Sequence, residues 1–244
     1  MRVLLLAGTP EAAQIARALA REERVVASAS LARATRVPAG FGIPTRIGGW
    51  GGDEPFRAWL QREQVQAVID ATHPFATAVT ERTARICAEE EIDFTHFLRR
   101  GWTPGPDDRW EFLNVEEDAA KVIDPGARVM LATGQRGLDR FHGLSDRDLF
   151  VRVPTLPAHD FPYPHGGYIV RPNALPIGAE EALLHDLQAS WVVARNSGGT
   201  RSFPLLEAAR LLGIPVAMIR RPPQPEAPRI FTVAEVLAWV RRRL

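Results

Sequence analysis

Short apolar runs alternate along the chain with stretches whose apolar positions recur every three to four residues. Arg2 to Ala7 (RVLLLA) is the first such run, and it stops at Gly8. Thr9, Pro10 and Glu11 then supply an N-cap, a first-position proline and a first-turn acid, which predict a helix reaching Ala20. Arg24 to Ala29 reads as a second strand. Residues 54–63 read as a helix, 65–70 as a strand, Thr77 to Glu90 as a helix and Asp93 to Leu98 as a strand. This βαβα alternation predicts an α/β fold with a doubly wound parallel sheet and helices on both faces.

The second half repeats the first. Arg128 to Gly134 (RVMLATG) matches Arg2 to Gly8, Trp191 to Gly199 matches the strand and loop beginning at Val68, and Ile214 to Arg221 matches Ile92 to Arg100. Both Arg-Arg pairs lead into proline-rich stretches, then into a short apolar segment and a helix beginning at Val115 or Val233. A period this long predicts two similar domains rather than a solenoid. They are expected at 1–126 and 127–244, parting near Asp124-Pro125-Gly126. Any two α/β halves share such a pattern, and duplicated halves can exchange a strand or a helix, so spatial and sequence boundaries need not agree.

The chain has 244 residues, enough for two cores, and 24% are charged with a net charge of +1. That balance does not point to nucleic acid. The basic charge is almost all arginine, Lys121 being the only lysine. Arginine suits planar carboxylates and phosphates, although genomic bias gives the same composition. Cys87 is alone, which excludes a disulfide framework and a thiolate metal site. The leading apolar run is too short to span a membrane. A soluble, cytoplasmic protein without membrane or nucleic-acid partners is expected.

In open parallel sheets, ligands sit beyond the carboxyl ends of the strands. Thr72-His73-Pro74 and Asn196-Ser197-Gly198-Gly199 fall at such ends, and two such edges facing each other would make a cleft. Gly8-Thr9-Pro10-Glu11 is a strand-to-helix turn able to attract phosphate, but it lacks the full G-x-G-x-x-G spacing, and an ordinary capped helix reads the same way. The region from Ser28 to Arg36 holds no acid. Serine and arginine there suit a 2′-phosphate, hence NADPH rather than NADH; a solvated basic loop is the alternative. Four glycines surround Trp50 between Gly48 and Gly52, where the ring either stacks on a flat ligand or anchors the loop. His73 can move a proton near neutral pH or simply shape its turn. His159 and His165 lack ligand-like neighbours, and no metal site is expected.

Four segments carry a resemblance. Arg46 to Gly52 (RIGGWGG), Asp70 to Ala76 (DATHPFA), Asn196 to Gly199 (NSGG) and Gly213 to Arg221 (GIPVAMIRR) are together similar to the precorrin-6A reductases of cobalamin biosynthesis, in order over nearly the whole chain. The resemblance implies two Rossmann-like domains with NADPH and substrate in a cleft between them. It implies reduction of one C=C bond of the precorrin-6A macrocycle by hydride transfer, giving precorrin-6B. Carried over by position, the cofactor residues are Gly8, Thr9, Glu11, Ser28, Ser30, Arg33, Gly49, Trp50, Gly51, Thr72 and His73, with Ser197, Gly198, Gly199 and Thr200 from the second half. His73 is the catalytic candidate. Arg99, Arg100, Arg195, Asn196, Arg201 and Arg220 are candidates for the substrate and its ring of carboxylates. The first turn departs from the family in having one glycine where two are usual. Hand-over of product to neighbouring pathway enzymes goes with this reading. The alternative is a non-catalytic NADPH-binding sensor. A short-chain dehydrogenase is excluded, because Lys121 is preceded at the required spacing by Glu117, not tyrosine.

Overall fold

The computed structural model describes residues 1–32, 41–172 and 174–244, so Arg33 lies outside the described residues. The chain begins with β1 (Arg2–Ala7), α1 (Pro10–Leu19), β2 (Val26–Leu31), β3 (Thr45–Ile47), α2 (Asp53–Arg62), β4 (Ala67–Ala71), α3 (Thr77–Glu89) and β5 (Asp93–Phe97). Next come β6 (Trp110–Leu113), a 3-10 turn at Glu116–Asp118, α4 (Ala119–Val122), β7 (Arg128–Leu131) and a 3-10 stretch at Leu138–Leu144. Then follow β8 (Asp148–Val153), β9 (Gly166–Val170), α5 (Ile177–Asp186), β10 (Trp191–Arg195), α6 (Phe203–Leu211) and β11 (Val216–Ile219). The chain ends with β12 (Arg229–Ile230) and α7 (Val233–Arg241).

Two six-stranded sheets result, ordered β3-β2-β1-β4-β5-β12 and β9-β8-β7-β10-β11-β6. Every strand pair is parallel. Each sheet has the strand order of a Rossmann fold, reversing between its first and fourth strands. Both faces of the first sheet are covered, which explains the unbroken apolar runs. Val3, Leu5 and Ala7 join Ile15 and Leu19 of α1 and Val236 and Val240 of α7. Leu4 and Leu6, on the opposite face, join Phe56 and Leu60 of α2 and Ile86 of α3. In the second unit, Met130, Val192 and Met218 pack with Leu184 of α5 and Leu205 and Leu206 of α6.

The expected break near Asp124–Gly126 does not divide the units. They are residues 1–100 with 223–244, and residues 101–222. Edge pairing is the reason. Residues Trp110–Leu113 pair with Val216–Ile219, whereas Arg229 and Ile230 pair with His96 and Phe97. Each half thus supplies the last strand of the other half's sheet.

Three smaller expectations also change. The second strand runs from Val26 to Leu31 rather than from Arg24 to Ala29, so Ser30 joins Ser28 inside it, the two paired with Leu6 and Leu4. By its match to Gly8, Gly134 should lead into an α-helix like α1, but a 3-10 stretch follows, with Gly134 and Gly137 both at positive φ. The segment from Val115 to Val122 is a 3-10 turn with one turn of α-helix.

Candidate active site

Strand order reverses between β1 and β4, so the loops leaving their carboxyl ends run to opposite faces and open a crevice. The first loop is built around Thr9. Its backbone is extended and its side-chain oxygen accepts from the Ala12 N–H at 3.3 Å, capping α1. The same hydroxyl donates to the Ala71 carbonyl at 3.0 Å, tying the helix start to the end of β4. Gly8 lies so close to the second loop that a Cβ there would meet the His73 backbone nitrogen and the Thr72 Cα, each at 3.2 Å. The single glycine of the turn therefore serves close approach. Glu11 accepts from Arg99 at 3.0 Å, and Arg99 is buried. The structure thus spends Arg99, a substrate candidate, on Glu11, a cofactor candidate, within one unit.

The second loop hangs from Asp70, which is fully buried at the end of β4. Its Oδ1 accepts from the Thr72 N–H at 2.9 Å. Asp70 Oδ2 and Thr72 Oγ1 are buried and have no hydrogen-bond partner among the described residues. Beneath them the Cys87 thiol is pushed up to about 12, by burial first and then by the charge of Asp70. His73 is half-buried, and its Nδ1 accepts from the Phe75 N–H at 3.3 Å. The neutral ring then carries its proton on Nε2. Gln224, on the returning chain, donates to the Pro74 carbonyl at 3.0 Å and braces the loop.

At the β2–β3 edge, Ser30 is buried and accepts from Arg46 at 2.9 Å, while Ser28 is half-buried. Arg46 also donates to the carbonyls of Gly48 at 2.9 Å and Gly49 at 3.0 Å. Its guanidinium lies 3.7 Å from the centroid of the Trp50 ring. That ring packs on Phe56 and Trp59 at centroid distances of 4.7 and 4.9 Å. Trp50 anchors the loop, and Gly49 and Gly51 beside it are exposed.

The second unit reverses between β7 and β10. Here its own side chains hold the loops. Arg195 donates twice to Glu116, at 3.1 and 2.9 Å, and to the Thr133 carbonyl at 3.3 Å. The Asn196 amide accepts from the Trp102 N–H at 2.7 Å and donates to the Trp102 carbonyl at 2.9 Å. Trp102 Nε1 donates to the Gly199 carbonyl at 2.8 Å, and Arg221 donates to the carbonyls of Asn196 and Ser197 at 2.8 and 3.0 Å. Arg195 and Asn196, candidates for substrate, are thus committed to the protein's own backbone and to Glu116. Removing the amide in Asn196→Ala orphans the Trp102 N–H and carbonyl. It is expected to cost about 2 kcal/mol and to lower the melting temperature by about 5 °C, as circular dichroism would show. An unchanged melting curve would mean that the clamp contributes nothing.

Both crevices are carried by motifs whose resemblance was noted above, and comparison with known proteins bears directly on them. The family model for precorrin-6x reductase CbiJ/CobK matches residues 2–241. The chain belongs to this family. Over 244 residues it is 37% identical to a precorrin-6A reductase from Rhodococcus erythropolis, covering 98% of this chain and 97% of the relative. It is 34% identical to one from Rhodobacter capsulatus, covering 98% and 95%. The solved structure of a CobK precorrin-6A reductase superposes with a TM-score of 0.92 at 33% identity, covering 99% of this chain and 96% of that one.

Against this family background, the remaining candidates fall into two groups. Ser197 and Gly198 are buried and Gly199 half-buried in the β10 loop. Arg100, Thr200, Arg201 and Arg220 are exposed, and Arg220 lies over the Phe112 ring at 4.4 Å. Two residues, Asp70 and Arg46, head family-like segments but were given no role of their own from the sequence. Asp70 was signalled by a charge closing an apolar run. Arg46 stood at the head of a glycine cluster that drew the attention instead. No helix among the described residues is long and apolar enough to cross a membrane.

Proposed function

We propose that the protein is a precorrin-6A reductase, reducing one C=C bond of the macrocycle to give precorrin-6B with NADPH as reductant. The observation that supports this reading is positional. The motifs similar to the family, Asp70 to Ala76 and Asn196 to Gly199, close the two points where strand order reverses. The residues of the first unit fit a dinucleotide. Backbone rather than side chain stands at the head of α1, the Thr72 hydroxyl is unspent, and an arginine stands at the β2–β3 edge. Gly8, Thr9, Thr72 and the Trp50 loop would hold it, with Ser28, Ser30 and Arg33 toward the 2′-phosphate. NADPH, when bound, supplies the hydride.

The chain's task is to orient, exclude water and deliver a proton. His73 would give up a proton as the imidazolium: Nδ1 takes a proton from solvent and releases the Phe75 N–H, Nε2 is the donor, and the neutral ring is left. Exposed Arg100, Arg201 and Arg220 remain for the carboxylates of the substrate. A cytoplasmic setting and hand-over to the next enzyme of the pathway go with this reading.

The test is oxidation of NADPH by purified protein with and without precorrin-6A, NADH and the cobalt-containing substrate run in parallel. Substrate-dependent oxidation with NADPH preferred supports the reading. Tight NADPH binding without oxidation by either substrate would replace it with a sensor. In His73→Asn, kcat is expected to fall about a hundredfold, in line with the usual contribution of a general acid. An unchanged kcat would assign the proton to solvent.

A further inference from the structure

Arg46 differs from the arginines of the two switch points in what it touches. Arg99 and Arg195 each face a carboxylate, on Glu11 and Glu116. Arg46 forms no ion pair with any described residue, and its partners are one hydroxyl, two carbonyls and an indole face. A guanidinium has five N–H donors. Two on Nη1 go to Ser30 and Gly48 and one on Nη2 goes to Gly49. That leaves Nε–H and one Nη2–H without a partner among the described residues, enough for a two-point contact with an anion. Burial alone lowers the guanidinium's affinity for its proton, with no anion to offset it.

Location narrows the anion. Arg46 is the register partner of Ser30, one residue short of the carboxyl end of both β2 and β3. In a Rossmann sheet, the end of the second strand is where the adenosine ribose is recognised, by an acid for a free 2′-hydroxyl and by arginine for a 2′-phosphate. β2 carries serine there, and Arg46 is fixed beside it by a stacked tryptophan and two glycine carbonyls. Such a fork loses little rotamer freedom when it binds.

We propose that Arg46 is the residue that selects NADPH over NADH, by taking the 2′-phosphate, with Ser30 and Trp50 holding its fork in place. The proposal rests on the NADPH reading above and adds the residue responsible.

The test uses binding rather than turnover. The probes are adenosine 2′,5′-bisphosphate and 5′-AMP, titrated calorimetrically into the full-length protein and into Arg46→Gln and Arg46→Lys. Wild type is expected to prefer the bisphosphate. In Arg46→Gln that preference should fall about thirtyfold, the usual weight of a charged hydrogen-bond pair, while 5′-AMP binding stays within about twofold, well inside the effect of one lost hydrogen bond. Arg46→Lys keeps the charge without the fork and should lie between them, and it carries the test if Arg46→Gln does not fold. A preference retained in both variants would overturn the proposal, as would equal weakening of both ligands, which would make Arg46 a strut for the Trp50 loop. If wild type itself shows no preference for the bisphosphate, the NADPH reading fails first, and that outcome is distinct from the other two.

Discussion

Glu180→Ala is expected to lower the melting temperature of the protein by about 10 °C, on the scale of 2–4 °C per kcal/mol for chains of this size. Glu180 on α5 is 1% exposed and Arg152 on β8 is 4% exposed. Arg152 Nη1 donates to Glu180 Oε1 at 2.8 Å, and Nη2 donates to Oε2. This bidentate pair joins the helix layer to the sheet. Arg152 Nε is already buried with no hydrogen-bond partner among the described residues. Truncating the acid leaves a buried guanidinium with neither water nor counter-ion. Breaking a buried pair in this way costs about 3–5 kcal/mol. Replacing both members by apolar side chains removes the stranded charge. The Arg152→Met, Glu180→Leu double variant should therefore recover most of the loss. Thermal melts of the three proteins decide the matter. A double variant no more stable than Glu180→Ala would show that the loss was one of packing volume, not of an uncompensated charge.

Gly8→Val is expected to weaken NADPH binding by about a hundredfold, the combined effect of overpacking and a blocked phosphate approach. The alanine carbon alone would stand 3.2 Å from two backbone atoms of the β4 loop, and backbone cannot swing aside as a long side chain can. Valine adds two more carbons at the same place. Either β1 and β4 part at their ends, breaking the bond from Thr9 to the Ala71 carbonyl, or the Thr72-His73 loop is displaced. Both outcomes spoil the crevice. Gly8→Ala should show the same trend at reduced size. Fluorescence titration of NADPH measures the effect, and circular dichroism confirms that the variants are folded. Binding within threefold of wild type would remove Gly8 from the cofactor site, since a group packed against the phosphate should cost more than one hydrogen bond.

What could be read in advance was local. The turn from β1 into α1 announced itself because Thr9, Pro10 and Glu11 each satisfy a helix start within four residues, and all three act as expected. The apolar runs of β4, β5, β10 and β11 were plain for the same reason. The exchanged strands were harder. Arg229 and Ile230 form a strand of two residues, too short to carry any periodicity, and their partner lies more than a hundred residues away. Strand pairing at that range depends on which sheet edge is open, and no local pattern encodes that.

The site shows the same divide. The place of Thr72 and His73 just beyond β4 was legible because a strand end fixes where its loop begins. Ser30 fell just past the expected end of the second strand, since a small-residue strand end looks like a loop. Asn196, Arg195 and Arg99 looked like ligands for an anion because the sequence shows a polar group without its partner. Only the fold reveals that Trp102, Glu116 and Glu11 are among their partners.

The exchanged strands also bear on how the chain is made. A ribosome that has released the first hundred residues has delivered β1 to β5 but not β12 or α7. β5 then ends the sheet with an open edge, and the cluster around Ile15 and Leu19 waits for Val236, Trp239 and Val240. The next 122 residues must be synthesised, and can complete their own sheet, before those side chains arrive. Maturation of the amino-terminal unit is thereby tied to the synthesis of residues 223–244. A chain cut short at residue 222 would carry a second unit tethered to an unfinished first one whose bare β5 edge invites aggregation and chaperone capture.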